Sequence, residues 1–454
     1  MWTDFTKTDK NSWQKRAEKE LKGRPYEDML YRPAASVQME PYYTDREVNE
    51  SDLKMIQVAQ KQSPGWLTLP VIPFDEASTV NSRIQQYLSG GADGVWLLGG
   101  DLDLDKLELG KSLYTIRLTD TPVFLESSEH PVRLIKELSQ GAGYYLKGGI
   151  VHDPLAAWMR KGTSTQGVFD QIAEAIISTK NMREFRCYKV ESHVFHESGA
   201  DAVQELAYTL ASFVTYLDQL TDRDVPALLA VTRLVFTVSV GTDYLTEIAK
   251  LRALRYLYRK ITDAYELPAE LCQAFVHTQS SQLYQSGHSP HTNLVRRTSE
   301  AMSAVVGGCD ALSTLPHDAQ YNKPSDFSER IARNISLLLK NEALLDRVAD
   351  PAAGSYYLEI ETQKLAAAAW DKFLEIEKQG GLTKAFEKNI IQEDIKNAWN
   401  ARVDEYQTGK VLVGANKYQE ENQVEKKPAE TINEELSPAW EYALLKPHTL
   451  DRIF

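Results

Sequence analysis

The sequence predicts an α/β fold: a (β/α)8 barrel of the TIM type, with an N-terminal extended arm and a C-terminal helical extension. Three observations carry this reading. Short apolar or β-branched runs recur from Trp66 onward, eight of them between residues 66 and 315. Between them lie amphipathic patterns, clearest in "ADAVQELAYTLASFVTYLDQL" and "GTDYLTEIAKLRALRYLYRKI", with apolar residues at i, i+3, i+4 and i+7. Continuous apolar strands alternating with such helices belong to a parallel sheet covered by helices. Eight repeats of the unit close into a barrel rather than an open sheet.

In chain order, residues 1–60 comprise a helix and an arm. "SWQKRAEKELKG" predicts the helix, capped at Ser12 and stopped at Gly23. Residues 24–43 carry Pro25, Pro33 and Pro41 with Tyr26, Tyr31, Tyr42 and Tyr43, in neither helical nor strand period. Prolines keep such a segment extended, and tyrosines offer the amphipathic area enriched at interfaces. The arm and its four tyrosines are therefore expected to form an interface.

The barrel occupies 61–350, with strands predicted at "WLTLPVI" (66–72), "GVWLLG" (94–99), "PVFLE" (122–126) and "GYYLKG" (143–148). The second half follows at "FRCYKV" (185–190), "RLVFTVSV" (233–240), "LCQAFVH" (271–277) and "CDALSTL" (309–315). Residues 351–418 read as two or three helices, and the charged, proline-containing 419–454 as a linker toward a further domain.

Bulk composition narrows the function. A net charge of −13 over 454 residues argues against a general nucleic-acid or anionic-membrane binder. The three cysteines, Cys187, Cys272 and Cys309, lack metal-ribbon spacing and read as free thiols in a reducing compartment. No run approaches the ~18 apolar residues of a membrane span, and the N-terminus lacks the apolar stretch of a signal peptide. The expected location is the cytoplasm.

The stretch "YKVESHVFHESGA" sets His193 and His196 three residues apart, with Glu197 behind. That spacing admits a metal site, an acid–base pair or the remnant of a substrate site. A metal would need the pair on a helix and a third ligand, and none is evident, so no metal is expected. "VVGG" (305–308) reads as a helix-to-strand bend rather than a phosphate cradle. Arg160 and Lys161 read as cations at a helix C-terminus.

Three blocks carry a family resemblance: "NLVRRTSEAMSAVVGGCDALSTLPHDA" (293–319), "PSDFSERIARNISLLLKNEALLDRVADPAAGSYYLE" (324–359), and "VLVGANKY" (411–418) with "VEKKP" beyond it. Together they resemble the barrel domain of cobalamin-dependent methylmalonyl-CoA mutase, from about residue 20 to Tyr418. The resemblance implies a barrel that threads the pantetheine of an acyl-CoA along its axis. It also implies a separate domain holding adenosylcobalamin on a D-x-H-x-x-G loop, which this chain lacks.

The family's polar substrate groups are exchanged here. Where catalytic chains read "ISGYHMQEAGA", the Tyr position is His193 and the His position Val194. The glutamine expected after the fourth strand corresponds to Val151, and Ser313 and Leu315 stand for a histidine and an asparagine after the eighth. The carboxylate-binding arginine has no counterpart in "TSTQGVFDQI". No catalytic residue is therefore assigned. His277 and Gln279, with His193 and His196, are the candidates for a residual acyl-CoA pocket.

This pattern resembles the small, non-catalytic subunit of the heterodimeric enzyme. It implies a catalytic large subunit as partner, with the cofactor bound by that partner and none on this chain alone; when the partner is missing, either a homodimer or a disordered arm is expected. The alternatives are an active barrel chain using a cobalamin domain supplied separately, and a metal-dependent barrel hydrolase using His193 and His196.

Overall fold

Ahead of the barrel, β1 (Tyr31–Ala34) and β2 (Val37–Met39) form an antiparallel hairpin. The computed structural model describes residues 9–74, 76–100, 108–127, 131–142, 145–287, 289–321, 323–419 and 442–454. Its remaining strands are β3 (Leu67–Thr68), β4 (Val71–Pro73), β5 (Val95–Gly100), β6 (Val123–Ser127) and β7 (Gly148–Val151). They continue with β8 (Phe185–Arg186), β9 (Tyr188–Glu191), β10 (Leu234–Val240), β11 (Val276–Ser280) and β12 (Ala311–Ser313). All pair in parallel, in the orders β4-β5-β6-β7-β8 and β3-β12-β11-β10-β9.

The two sheets are one ring, because two passages of chain are each split between them. β3 and β4 are halves of one passage: the Leu69 N–H donates to the Leu312 carbonyl, and the Trp96 N–H to the Pro70 carbonyl. Pro70, lacking an N–H, sits where the passage changes neighbours. β8 and β9 are split at Cys187, β8 registering with β7 and β9 with β10. The Lys189 N–H still reaches the His152 carbonyl beyond β7. The ten strands thus make eight passages, and the fold is a (β/α)8 barrel.

Two strands fall later than expected. The fourth is Gly148–Val151, not 143–148, and the seventh Val276–Ser280, not 271–277. Gly148 has φ +104°, and a Cβ there would lie 2.1 Å from the Val123 carbonyl oxygen. Only glycine lets β7 approach β6 so closely. The seventh strand carries His277 and Gln279 on its inward side, so its polarity hides it from a reading of apolar runs.

The first helix is Lys10–Glu20, capped by Asp9, whose side chain accepts the Ser12 N–H at 2.8 Å. Ser12 therefore lies inside the helix rather than capping it. The arm packs on its own chain. Val37, Met39 and Tyr43 are buried in the main core, and Tyr43 packs against Tyr357 under Lys10 and Lys364. Tyr43 is thereby removed from any free surface. Tyr31 and Tyr42 keep 37% and 38% exposure, Tyr42 stacking on Trp13 at 5.0 Å. Tyr26 is half-buried.

The helical extension comprises Tyr356–Lys378, Gly381–Glu387 and Ile390–Thr408. Its first helix packs on the barrel helices Ala202–Thr221 and Tyr244–Ala264. There the buried Glu361 accepts the Thr246 hydroxyl at 2.6 Å. Burial raises its pKa from 4.5 to about 7; Thr246 opposes this, and Asp243 and Glu247 add to it. Between those values the folded chain holds a proton that the unfolded chain releases. The stabilisation is therefore complete below the unfolded value and is lost as pH rises toward 7. Glu361→Gln should remove this contribution, leaving a smaller fall of Tm between pH 5 and 8 than in the parent; an unchanged Tm profile would refute the assignment. Among the described residues, no helix is long and apolar enough to cross a membrane.

Candidate functional site in the barrel interior

Alternation along each strand sends every second side chain inward. Leu69, Trp96, Phe124, Val151, Val235 and Ala311 thus form one apolar layer, with Phe275 against it. The rings stack in a row: His277 on Trp96 at 4.2 Å and 12°, Trp96 on Phe124 at 4.9 Å and 13°, Phe124 on Phe275 at 5.9 Å and 28°. Arg186 lies 5.0 Å over Phe275. These side chains occupy the barrel interior.

His277 is fixed within that filling. The Ser313 hydroxyl donates to the Leu69 carbonyl at 2.6 Å, so its oxygen can only accept from His277 Nε2, 2.7 Å away. Nε2 therefore carries the proton, while Nδ1 is buried without a partner. Burial holds the ring well below the ordinary histidine pKa, so it is neutral.

Above the rings lies a charged layer. Lys189 Nζ, buried, sits between Glu126 at 2.8 Å and Glu191. The Trp96 indole donates to the other Glu126 oxygen at 3.1 Å. Burial opposes ionisation of Glu191, yet Lys189 and Arg160 outweigh it and bring its pKa to about 2. Burial with Glu191 nearby pushes Asp153 up to about 6. Asp153 accepts the Glu191 N–H at 2.8 Å and the Tyr216 hydroxyl at 2.7 Å. Arg160 pairs with Glu197 at 2.7 Å. Each cation is held by carboxylates, so the layer binds itself together rather than offering a free base or nucleophile.

The opening histidines do share a helical turn, His193–His196, but they serve different surroundings. His196 contacts Glu205 through Nδ1 at 3.0 Å and Ser281 through Nε2 at 2.8 Å. Glu205 also holds Lys250 at 2.8 Å, so this histidine is part of a buried structural knot. His193 is buried at the edge of the charged layer with Nε2 unpartnered, and burial lowers its pKa. Among the described residues, no group of three or more His, Cys, Asp or Glu is placed to hold a metal ion. Val194, Val151 and Leu315 are buried and apolar, and Gln279 is half-buried beside His277 on β11. Ser313 and His277 come together; His193 and His196 do not converge on one site.

Of the ring stack only His277 is among the residues singled out in the sequence, and the Glu126–Lys189–Glu191 triad is absent from them. The triad's signal was present, as a charge inside an otherwise apolar barrel strand, in "PVFLE" and "YKVE". A charge there must point either into the barrel or into the helix layer, and either requires a partner.

The chain matches the family model described as methylmalonyl-CoA mutase over residues 134–446. The methylmalonyl-CoA mutase small subunit of Porphyromonas gingivalis is 30% identical over 424 residues, covering 88% of this chain and 68% of that protein. The small subunit of Streptomyces virginiae is 32% identical, covering 74% and 56%. The large subunit of P. gingivalis is 35% identical, covering 53% and 34%. The chain thus spans 56% to 68% of the length of the two small subunits it matches. Among solved structures, dihydropteroate synthase from Xanthomonas albilineans is similar at 14% identity and TM-score 0.33, covering 62% of this chain and 94% of that one.

Proposed function

Since the chain belongs to the methylmalonyl-CoA mutase family, we propose that it acts as the small subunit of a heterodimeric mutase in the cytoplasm. In this reading it supports a catalytic large subunit that isomerises (R)-methylmalonyl-CoA and succinyl-CoA. One observation carries the reading: the filled barrel interior. A substrate arm threaded along the axis needs a continuous passage, and here Trp96, Phe124, Phe275 and His277 stack in its place. The same filling disfavours an active barrel that borrows a cobalamin domain.

Adenosylcobalamin, which the family implies, supplies the radical chemistry when bound. The residues at this barrel's mouth do not fit it, because the charged groups there, Lys189 with Glu126 and Glu191 and Arg160 with Glu197, are paired with one another. The cofactor is accordingly assigned to the partner. The exposed faces of Tyr31 and Tyr42 are proposed as part of the surface that meets it.

The isolated chain is expected to give no spectral shift with adenosylcobalamin, no calorimetric signal with CoA at micromolar concentrations, and no succinyl-CoA from methylmalonyl-CoA. Mixed with a family large subunit it should elute as a one-to-one complex. Saturable CoA binding or turnover by the chain alone would overturn the reading.

A further inference from the structure

Residues 442–454 tie together connections that follow four different barrel passages. The Trp158 indole donates to the Tyr442 hydroxyl at 2.6 Å, and the Leu445 N–H to the Met159 carbonyl at 2.9 Å, both on the helix after β7. The His448 N–H donates to the Glu197 carbonyl at 2.7 Å, behind β9. The Leu450 N–H donates to the Leu283 carbonyl at 2.9 Å, behind β11, and Gln320, behind β12, donates to Thr449 at 2.9 Å. All four attachments lie at the C-terminal ends of the strands, where the barrel opens. The fourth and eighth passages, β7 and β12, stand on opposite sides of the ring.

Two side chains key the segment into place. Leu450 is fully buried among Leu283, Tyr406, Leu412 and Ala415. Asp451 is 1% exposed, and its carboxylate accepts the Ser286 hydroxyl and the Gly287 N–H, each at 3.0 Å. Apart from one short turn at Leu450–Ile453, the segment has no helix or strand pairing of its own. Such a segment can leave as a unit without breaking a sheet. Beneath it, Glu197 holds Arg160, and beside them the Glu126–Lys189–Glu191 triad forms the charged layer.

We propose that residues 442–454 are a detachable strap, keyed by Leu450 and Asp451, that spans the barrel mouth from the connection after β7 to that after β12 and keeps solutes from the buried Lys189. Docked, it holds four connections at one spacing; released, it opens access to Lys189 and loosens the loop behind β11. This inference is independent of the subunit assignment.

The test uses the full chain and its Leu450→Ala/Asp451→Asn variant. Hydrogen exchange is followed at the amides of Leu445, His448, Leu450 and Gly287. Acetylation of Lys189 by acetic anhydride is followed by mass spectrometry. In the parent, those four amides should be protected at least a hundredfold relative to an unfolded chain. In the variant they should lose that protection, and Lys189 should be acetylated at least tenfold faster, while β10 amides stay protected. Parent amides exchanging at unfolded-chain rates would overturn the proposal, as would unchanged Lys189 acetylation in the variant. A variant that also lost β10 protection would show the segment to be core rather than strap, and would overturn it equally.

Discussion

Replacing Lys250 with methionine is expected to destabilise the fold by about 3–5 kcal/mol. Lys250 is 1% exposed and lies 2.8 Å from Glu205, 2.7 Å from Glu247 and 2.9 Å from the Ser239 carbonyl. Burial works against its charge, but the two carboxylates outweigh that and lift its pKa above the ordinary lysine value. Methionine keeps the volume and removes the cation, leaving both carboxylates buried with less compensation. Burial also opposes the charge on Glu205, whose pKa is nevertheless brought to about 2 by Lys250 and His196. The variant should therefore lose stability most above the ordinary carboxylate range. Adding Glu205→Gln should restore part of the loss, because it removes one stranded charge. Urea unfolding at pH 7 measures both; a single variant within about 1 kcal/mol of the parent would mean the knot is not holding the barrel helices.

Trp96→Ala should cost about 3–5 kcal/mol, the range for truncating a buried large aromatic. The ring is 2% exposed and lies between Phe124 and His277, with its indole on Glu126. Truncation removes two stacking faces, opens a void in the interior and takes one donor from a carboxylate inside the triad. Trp96→Phe retains a ring for the stack and loses the indole donor, so its loss should fall clearly below that of alanine. The order parent, phenylalanine, alanine in urea midpoint is the expected result. An alanine variant as stable as the parent would show that the row of rings is not what fills the axis.

Much of this was legible in the chain. The strand–helix beat placed six of the eight passages within about two residues, because buried parallel strands read as near-continuous apolar runs. The two late strands escaped for local reasons. Gly148 and Gly149 have no side chain to signal a strand, since β6 and β8 approach too closely for one. β11 carries the inward His277, whose Nε2 finds its partner, Ser313, only on another strand. Val151 and Val194, singled out by resemblance to a motif, are both buried. His193 and His196 could not be resolved from their spacing. What separates them is Glu205 and Ser281, nine and 85 residues away from His196.

By itself the sequence determined the barrel, the helical extension and the family, because these follow from periodicity and from long runs of specific residues. Only the tertiary structure decided what the interior contains. Whether Trp96, Phe124, Phe275 and His277 form one stack depends on the register of three strands far apart in the chain. The structure alone also decided that Tyr43 belongs to the chain's own core and that residues 442–454 lie across the connections of four passages. Those facts are contacts between distant segments, and a contact exists only once the ring of strands has fixed which side chains meet.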